Sequence, residues 1–516
     1  MELKDTHMDA YLHILRKRQR YYSTVYGLRI NIQDSQFYSW LLNDWERLMG
    51  ICARLMDLER LDELNKGEDI INRLPDEVLT HILSCLETKE AIKTCVLSSR
   101  WKNLWTLIHN LHFDDWDHEF RESPNFRNFV DKILGHCQSK DIQDFSINCS
   151  ISDDDIILSR ITVWICFAIE RKVRNLDINL SIDEEGEQLV RLPQSILTCK
   201  TLVNLKLCSG SCDFVFDIPD FVVCLPSLKI LCIEVVYPNS NLMQKLFRSC
   251  TKLEELTIHG DLELNENVLT FDIIVPTLKT LKIYLLPNWK VKNIVSIHKF
   301  VVRARNLEQI YIDDDTLSCI VMDETPLLSD ASLVGCFTLL SKIEPSKNEV
   351  NRAMELLRAI KNTKYLTLSE GIMGVLVLAF DGTLPTFPNL IQLESIIDAS
   401  FGWKLLPHFL NNSPNLEVLT LSKEVNRDVP LDRFSYFESE NVPSCLLFRV
   451  KKIKVMCMMG DLDELEVVRY LLKNSKVLER FWVFFMNKID SKIKMYLQHQ
   501  ISKFPRGSYL CKVGFC

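Results

Sequence analysis

Leu253-Glu254-Glu255-Leu256-Thr257-Ile258 and, 25 residues on, Leu278-Lys279-Thr280-Leu281-Lys282-Ile283 repeat one phrase: apolar, two residues, apolar, one residue, apolar. The phrase also stands at Leu202-x-x-Leu205-x-Leu207, Leu228-x-x-Leu231-x-Ile233 and Leu307-x-x-Ile310-x-Ile312. It returns at Leu366-x-Leu368, Leu390-x-x-Leu393 and Leu416-x-x-Leu419-x-Leu421. Alternation over its last three positions predicts a short strand with its apolar side turned to one face. One such phrase is a weak signal. Several in phase are strong, because a unit too small to bury its own apolar face is covered by stacking on its neighbours.

The steps from Leu202 to Leu228, Leu253 and Leu278 are 26, 25 and 25 residues, the range of leucine-rich repeats, with one strand and one return per unit. Asn241–Phe247 and Leu405–Leu410 read as short return helices. Pro226, Pro276, Pro388 and Pro414 each stand two residues before the leucine that opens a unit, which suits a tight turn into the strand. Between Ile312 and Leu366 the phrase is degenerate. Leu333 is a candidate start there, and 313–341 reads equally as a loop or an irregular repeat. The expected fold class is α/β: a small three-helix segment, then a curved leucine-rich-repeat solenoid with a parallel sheet on its concave side. The residue between the last two apolar positions points away from the core, giving a ladder of Lys206, Cys232, Thr257, Lys282, Tyr311, Thr367 and Thr420, with His259, Tyr284 and Asp313 beside it. Lys206, Thr257, His259, Lys282, Tyr284, Tyr311 and Asp313 are the candidate target-binding residues. The same mixture also suits a solvated sheet face.

The chain has 516 residues, 47% hydrophobic and 25% charged, with 15 Gly and 17 Pro, as in ordinary folded protein. A net charge of −8 gives no reason to expect nucleic acid, and the one basic cluster, Arg16, Lys17, Arg18 and Arg20, reads as a solvated helix face. Residues 1–20 are polar, unlike a signal peptide, and 161–169 and 371–380 are too short to span a bilayer. Of the 18 cysteines, Cys199, Cys208, Cys224, Cys232 and Cys250 stand in apolar runs and read as buried free thiols. That usage implies a reducing compartment, cytoplasm or nucleus.

Pro75 suits the first turn of a helix, with Asp76 and Glu77 on its positive end and Val78, Leu79, Ile82, Leu83 and Leu86 forming an apolar stripe. Thr88 and Ser98 are candidate caps of two more short helices, carrying Ala91, Ile92, Cys95 and Val96, then Trp101, Leu104 and Trp105. Three helices in so few residues need a partner or the rest of the chain to cover them. The run Leu74-Pro75-Asp76-Glu77-Val78-Leu79-x-x-Ile82-Leu83, through Thr88-Lys89-Glu90-Ala91 to Leu97-Ser98-Ser99-Arg100-Trp101-x-x-Leu104-Trp105, resembles a plant-type F-box nearly end to end. Its opening departs slightly, with Asp69-Ile70-Ile71-Asn72 in place of the usual Asp-Arg-Ile-Ser. The resemblance implies that Leu74, Pro75, Val78, Leu79, Ile82, Leu83, Val96, Leu97, Trp101 and Trp105 meet a Skp-type adaptor or support that surface. Trp101 and Trp105 also suit a purely structural role, holding the third helix against the first repeat.

From Phe387 the order Phe387-Pro388-Asn389-Leu390, Ser413-Pro414-Asn415-Leu416, Val442-Pro443-x-Cys445-Leu446-Leu447 and 466–474 is similar to the FBD region of plant F-box proteins. It keeps the repeat phrase at Val450-x-x-Ile453-x-Val455 and Leu478-x-x-Phe481-x-Val483, and suits either a cap or a binding region. The expected domains are 1–66, an N-terminal helical extension of unknown role; 67–112, the F-box; 113–386, leucine-rich repeats; and 387–516, FBD-like repeats and cap.

No phosphate-cradling, dinucleotide, zinc-protease or nucleophile-elbow motif stands in the chain. His109 and His112 lack nearby cysteines for a zinc site, and the aspartates at 153–155 and 313–315 read as solvated loop faces. The expectation is a non-enzyme with no cofactor and no metal. The resemblance implies a substrate-recognition subunit of an SCF-type cullin–RING ubiquitin ligase, with a Skp-type adaptor, through it a cullin, and an unidentified target as partners. The alternative is a repeat-based interaction scaffold with no role in ubiquitination. Neither nucleic acid nor membrane is expected as a partner.

Overall fold

The computed structural model describes residues 74–115, 123–151, 155–182, 188–209, 212–215, 222–235, 240–260, 270–285, 298–314, 317–323, 327–335, 347–378, 384–398, 403–424, 441–486 and 489–516. The N-terminal extension expected over 1–66 lies outside them. The described residues fall into two compact units, one ending at Leu225 and one starting at Pro226.

The first unit opens with helices α1 (Asp76–Leu83), α2 (Thr88–Lys93) and α3 (Trp101–Leu104); tighter turns, Thr94–Val96 and Trp105–Leu107, continue the last two. Strand β1 (Asn110–Asp114) follows, then α4 (Ser123–His136), β2 (Asp144–Ile151), α5 (Asp155–Glu170) and β3 (Asn175–Ile182). A short β4 (Gln188–Arg191), β5 (Asn204–Ser209) and a short β6 (Cys212–Val215) complete it. Strands β1, β2, β3 and β5 form consecutive parallel pairs, and β4 pairs with β6 in a separate ribbon. The repeat phrase therefore starts well before Leu202. Ile108-x-x-Leu111-x-Phe113, Ile142-x-x-Phe145-x-Ile147 and Val173-x-x-Leu176-x-Ile178 have all three apolar positions buried.

The second unit runs β7 (Ile230–Val235), α6 (Ser240–Ser249), β8 (Glu255–Gly260), β9 (Thr270–Ile274), β10 (Thr280–Leu285), β11 (Lys299–Arg303), β12 (Gln309–Asp314), β13 (Cys319–Asp323) and β14 (Asp330–Val334). It continues through α7 (Lys347–Ala359), β15 (Tyr365–Leu368), α8 (Glu370–Leu378), β16 (Gln392–Asp398), α9 (Leu406–Asn411), β17 (Val418–Glu424) and α10 (Ser444–Phe448). Strands and helices then alternate as β18 (Lys452–Met458), α11 (Leu462–Asn474), β19 (Arg480–Phe485), α12 (Ser491–Ser502) and β20 (Lys512–Phe515). Strands β7, β8, β10, β12 and β14 to β20 pair in parallel in that order. The degenerate stretch holds one further repeat strand, β14. Its phrase is Leu328-x-x-Ala331-x-Leu333, with alanine where its neighbours carry a large residue. Three returns are strands rather than helices, since β9, β11 and β13 make a second parallel sheet.

Two hydrogen-bond devices repeat along the array. Several units open on a turn whose fourth residue, the first apolar position, donates back to its first: Leu253 N to Cys250 O at 3.2 Å, Leu278 N to Val275 O at 3.1 Å, Leu416 N to Ser413 O at 3.2 Å. Pro276, Pro388 and Pro414 occupy the second position of such turns, which a fixed φ favours. Next, one carbonyl accepts two successive N–H groups of the following repeat. Lys229 O receives Glu254 N and Glu255 N at 2.8 and 3.0 Å, Glu254 O receives Lys279 N and Thr280 N, and the pattern continues to Lys451 O. Beside it, Lys229, Glu254 and Lys279 alternate in sign, with ion pairs of 3.2 and 2.8 Å, and the two lysines hold the Glu254 carboxyl below its ordinary range.

Three local expectations differ. Thr88 is the first residue of α2 rather than its cap, and its hydroxyl accepts His112 N of β1 at 2.7 Å. Ser98 lies short of α3, whose cap position is Arg100. Asp314 is buried at the end of β12, where it accepts Ser318 N at 2.7 Å, so Asp313 and Asp314 belong to a strand and not to a solvated loop. Among the cysteines, Cys199, Cys232 and Cys250 are buried, while Cys208 and Cys224 are half-buried.

Thr363 occupies the first apolar position of its repeat, fully buried, with no partner for its hydroxyl among the described residues. Thr363→Val keeps the shape and removes an unpaired polar group, so we expect about 1 kcal/mol of stabilisation; an unchanged or lower urea midpoint contradicts this. Burial pushes the thiols of Cys250 and Cys445 up to about 12 and that of Cys95 up to about 11. Since the thiolate is the reactive form, iodoacetamide should label exposed Cys85, Cys457 and Cys516 in the native chain and spare these three. Equal labelling by mass spectrometry would refute that.

Candidate functional site

Two regions carry the residues singled out for binding, one in each unit. In the first, α1 starts directly after Pro75, with Asp76 and Glu77 in its first turn. Leu74, Leu79, Ile82 and Leu83 are buried, as are Ala91 and Ile92 of α2 and Val96, Trp101, Leu104 and Trp105 beyond it. Of the ten residues expected at an adaptor surface, Leu74, Leu79, Ile82, Leu83, Val96, Trp101 and Trp105 thus form the interior of the helical segment. Pro75 is exposed, Val78 and Leu97 are half-buried, and these three remain reachable. Leu86, half-buried, and Leu107, exposed, extend the accessible apolar surface. The Trp105 ring lies 6.2 Å from that of His136 on α4, which joins the third helix to the first repeat.

Arg100 holds the segment together and was not among the expected residues. Its guanidinium donates to the Leu74 carbonyl at 2.5 Å and to Asp76 Oδ1 at 2.8 Å through Nε. The sequence signal for it is a cation at the N-terminal side of a short helix, where the helix dipole disfavours positive charge and some other partner is needed. The segment is also bonded to the array. His109 N donates to Ser84 Oγ at 3.0 Å and Asn110 Nδ2 to Ser84 O at 2.8 Å, beside the Thr88 bond to β1. His109 and His112 are themselves bonded, through Nδ1, to Asp141 O at 2.9 Å and Ser146 Oγ at 2.8 Å.

In the second unit, the strand faces turned away from the core bring most of the expected target-binding residues together. Tyr284 stands level with His259 of β8 on one side and Asp313 of β12 on the other. Because neighbouring strands are about 4.8 Å apart, rings at equal register stack. His259 and Tyr284, level with each other, lie 4.6 Å apart at 5° between planes, while Tyr311, level with Lys282 and so offset along the strand, lies 5.0 Å from Tyr284 and tilts by 36°. Lys282 stands level with Thr257 and Tyr311 and pairs with Glu255 at 2.7 Å, and Thr257 is buried. Burial holds the His259 imidazole below its ordinary range, and burial, with Asp313 nearby, pushes the Tyr311 phenol up. Lys206, in the first unit, pairs with Asp177 of the adjacent strand at 3.4 Å. What this face offers chemically is an aromatic slab with one compensated ion pair beside it.

Comparison with known proteins places names on both regions. The family model for the F-box domain matches residues 71–113, that for the LRR repeats of the FBD-associated F-box protein At5g56370 matches 161–327, and that for FBD matches 438–481. The F-box/LRR-repeat protein At3g59200 of Arabidopsis thaliana is 30% identical over 485 residues, covering 87% of this chain and 88% of the relative. A second Arabidopsis thaliana protein, F-box/LRR-repeat protein At4g14103, is 32% identical over 375 residues, 69% of this chain and 92% of its own. The F-box/FBD/LRR-repeat protein At5g56420 of the same organism is 28% identical over 461 residues, 87% and 99% of the two chains. Three short helices, parallel strands at a steady period and matches that span nearly the whole of these relatives agree: the chain belongs to the plant F-box/leucine-rich-repeat proteins with a C-terminal FBD region.

Proposed function

We propose that the chain is the non-catalytic substrate-recognition subunit of an SCF-type cullin–RING ubiquitin ligase, acting in the cytoplasm or nucleus. Helices α1 to α3 bind a Skp-type adaptor, and through it a cullin, while the open strand faces bind a target protein. The observation that carries this reading is the helical segment itself. Its interior is complete, yet Pro75, Val78, Leu97 and Leu107 stay accessible on so small a unit. Accessible apolar residues grouped on one helical surface are the composition of a docking site. In this reading Leu74, Leu79, Ile82, Leu83, Val96, Trp101 and Trp105 support the docking surface from beneath, and Arg100 sets the position of α1.

Such a receptor does no chemistry of its own. It holds a target near the ubiquitin-charged partner, so that transfer proceeds at a raised effective concentration. On the target side, the slab of His259, Tyr284 and Tyr311 offers large, stiff contact area, with Lys282 and Asp313 as its polar border, buried Thr257 supporting it and Lys206 as a separate contact. No helix of the described residues is long and apolar enough to cross a membrane.

Co-expression with a Skp-type adaptor should give a 1:1 complex. Val78→Glu with Leu97→Glu should weaken it at least about a hundredfold by placing charge in a desolvated contact, with the melting temperature little changed, because neither residue is in the interior. Leu79→Asp would unfold the segment and says nothing about the surface. Undiminished adaptor binding by the Val78/Leu97 variant would overturn the docking surface. Captured proteins whose ubiquitination and lifetime do not respond to this variant would favour a scaffold outside ubiquitination.

The imidazole of His259 gives a second test. Its folded pKa lies below the unfolded value, so the unfolded chain binds the proton first as pH falls. The stabilising contribution is present above the unfolded pKa of about 6.5 and is lost as pH falls through the folded value. Between about pH 7.5 and 5.5 the wild type should therefore lose more stability than His259→Phe. Parallel urea-midpoint profiles would contradict this.

A further inference from the structure

The last three strands present a face unlike that of the strands before them. Lys452, Arg480 and Lys512 stand level on β18, β19 and β20, and one step along the strands Lys454, Trp482 and Gly514 stand level in turn. All four cations are exposed. None makes a side-chain hydrogen bond or ion pair among the described residues, whereas on β10 the face cation Lys282 is paired with Glu255 and, along the foot of the strands, Lys451 is paired with Glu417. Glu479, next to Arg480 at the foot of β19, is exposed, and Glu417 already accepts from Lys451 at 3.0 Å.

Trp482 stands among these cations and is 37% exposed. A Cβ on residue 514 would lie 2.4 Å from both Cε3 and Cζ3 of its ring, so glycine at 514 is what lets the indole settle onto the neighbouring strand. The ring is held from one side and open on the other. Just before β20, Tyr509 and Leu510 are also exposed and widen the apolar surface beside Lys512.

We propose that this face of β18, β19 and β20 docks an acidic peptide segment of the target, its carboxylates on Lys452, Lys454, Arg480 and Lys512 and an aromatic or aliphatic side chain on Trp482. Charge complementarity selects the partner. Unpaired cations repel one another and are relieved by anions, and an exposed tryptophan flanked by arginine is the composition of an interface anchor. Three adjacent strands set the Lys452, Arg480 and Lys512 backbones within about 10 Å, a spot matched to two or three carboxylates of an extended segment. It is too short for a run of nucleic-acid phosphates, and the chain's net charge of −8 opposes a long polyanion. The inference names the chemistry of the target and rests on the receptor reading only for the fate of the target once it is captured.

The test is to pan a random peptide library of about twelve residues on the full chain, then measure one synthetic selected peptide by fluorescence anisotropy. Selected sequences should be enriched in Asp and Glu with an aromatic or aliphatic residue. Binding should weaken with salt and fall at least about tenfold in Lys454→Glu/Arg480→Glu and in Trp482→Ala, while Lys454→Arg retains it. Melting temperature and adaptor capture are followed on the same preparations, and Lys452→Ser/Lys512→Ser serves as the milder variant if charge reversal unfolds the chain. Selection without acidic enrichment, binding indifferent to these changes, or an oligothymidylate binding the face more tightly than the peptide each overturns the proposal. Lost adaptor capture with intact peptide selection would instead overturn the receptor reading and leave this face standing.

Discussion

A single backbone carbonyl receiving two N–H groups from the next repeat is the constraint from which much of this structure follows. The bond pair fixes each strand's register against its predecessor, because a slip by one residue would expose the apolar set and bury the polar one. Once register is fixed, equivalent positions line up. The first apolar residues, Leu253, Leu278 and Leu307, stack in the core, and the residues between the later apolar positions line up on the open side. The alternation of Lys229, Glu254 and Lys279 beside that carbonyl row contributes little energy at such exposure. It does favour the native order of neighbours over a shifted one.

The same register gives the second unit's open face two distinct chemistries. Over β8, β10 and β12 it aligns aromatic rings and compensates its lysine, and over β18 to β20 it aligns cations that make no ion pair among the described residues. In the first unit, the helical segment is bonded through Ser84 and Thr88 to β1 and so is continuous with the repeats rather than tethered to them. An adaptor held there would hold the first strands in a defined orientation, which suits a receptor whose work is positioning.

The repeat period was legible in the sequence because leucine recurs at fixed spacing, and the F-box because its residues stand almost unbroken from Leu74 to Trp105. The array's first strands were harder to see, since Ile108, Ile142 and Val173 open them and Phe113 closes one; a phrase read as bulky apolar rather than leucine reaches them. Ala331 concealed β14 in the same way, and Thr363 replaces the first leucine of β15. The return sheet of β9, β11 and β13 does not carry the leucine phrase, so the pattern that finds the repeat strands does not reach it. For the candidate sites, residue types could be named in advance. Which of them are interior, as Leu79 and Ile82 are, and which are reachable, as Val78 and Leu97 are, depends on packing between three helices that spacing within one helix does not contain. The stacking of His259 on Tyr284 and the row of cations around Trp482 depend on register between strands and were equally out of reach.

The central claim is that helices α1 to α3 are a docking module and the strand faces are left free for recognition. Hydrogen exchange of the full chain, with and without a Skp-type adaptor at saturating concentration, tests it most directly. The account predicts added protection confined to residues 74–107, with the amides of β8 to β12 and β18 to β20 unchanged. Protection centred on the strands, or none over 74–107, would contradict it.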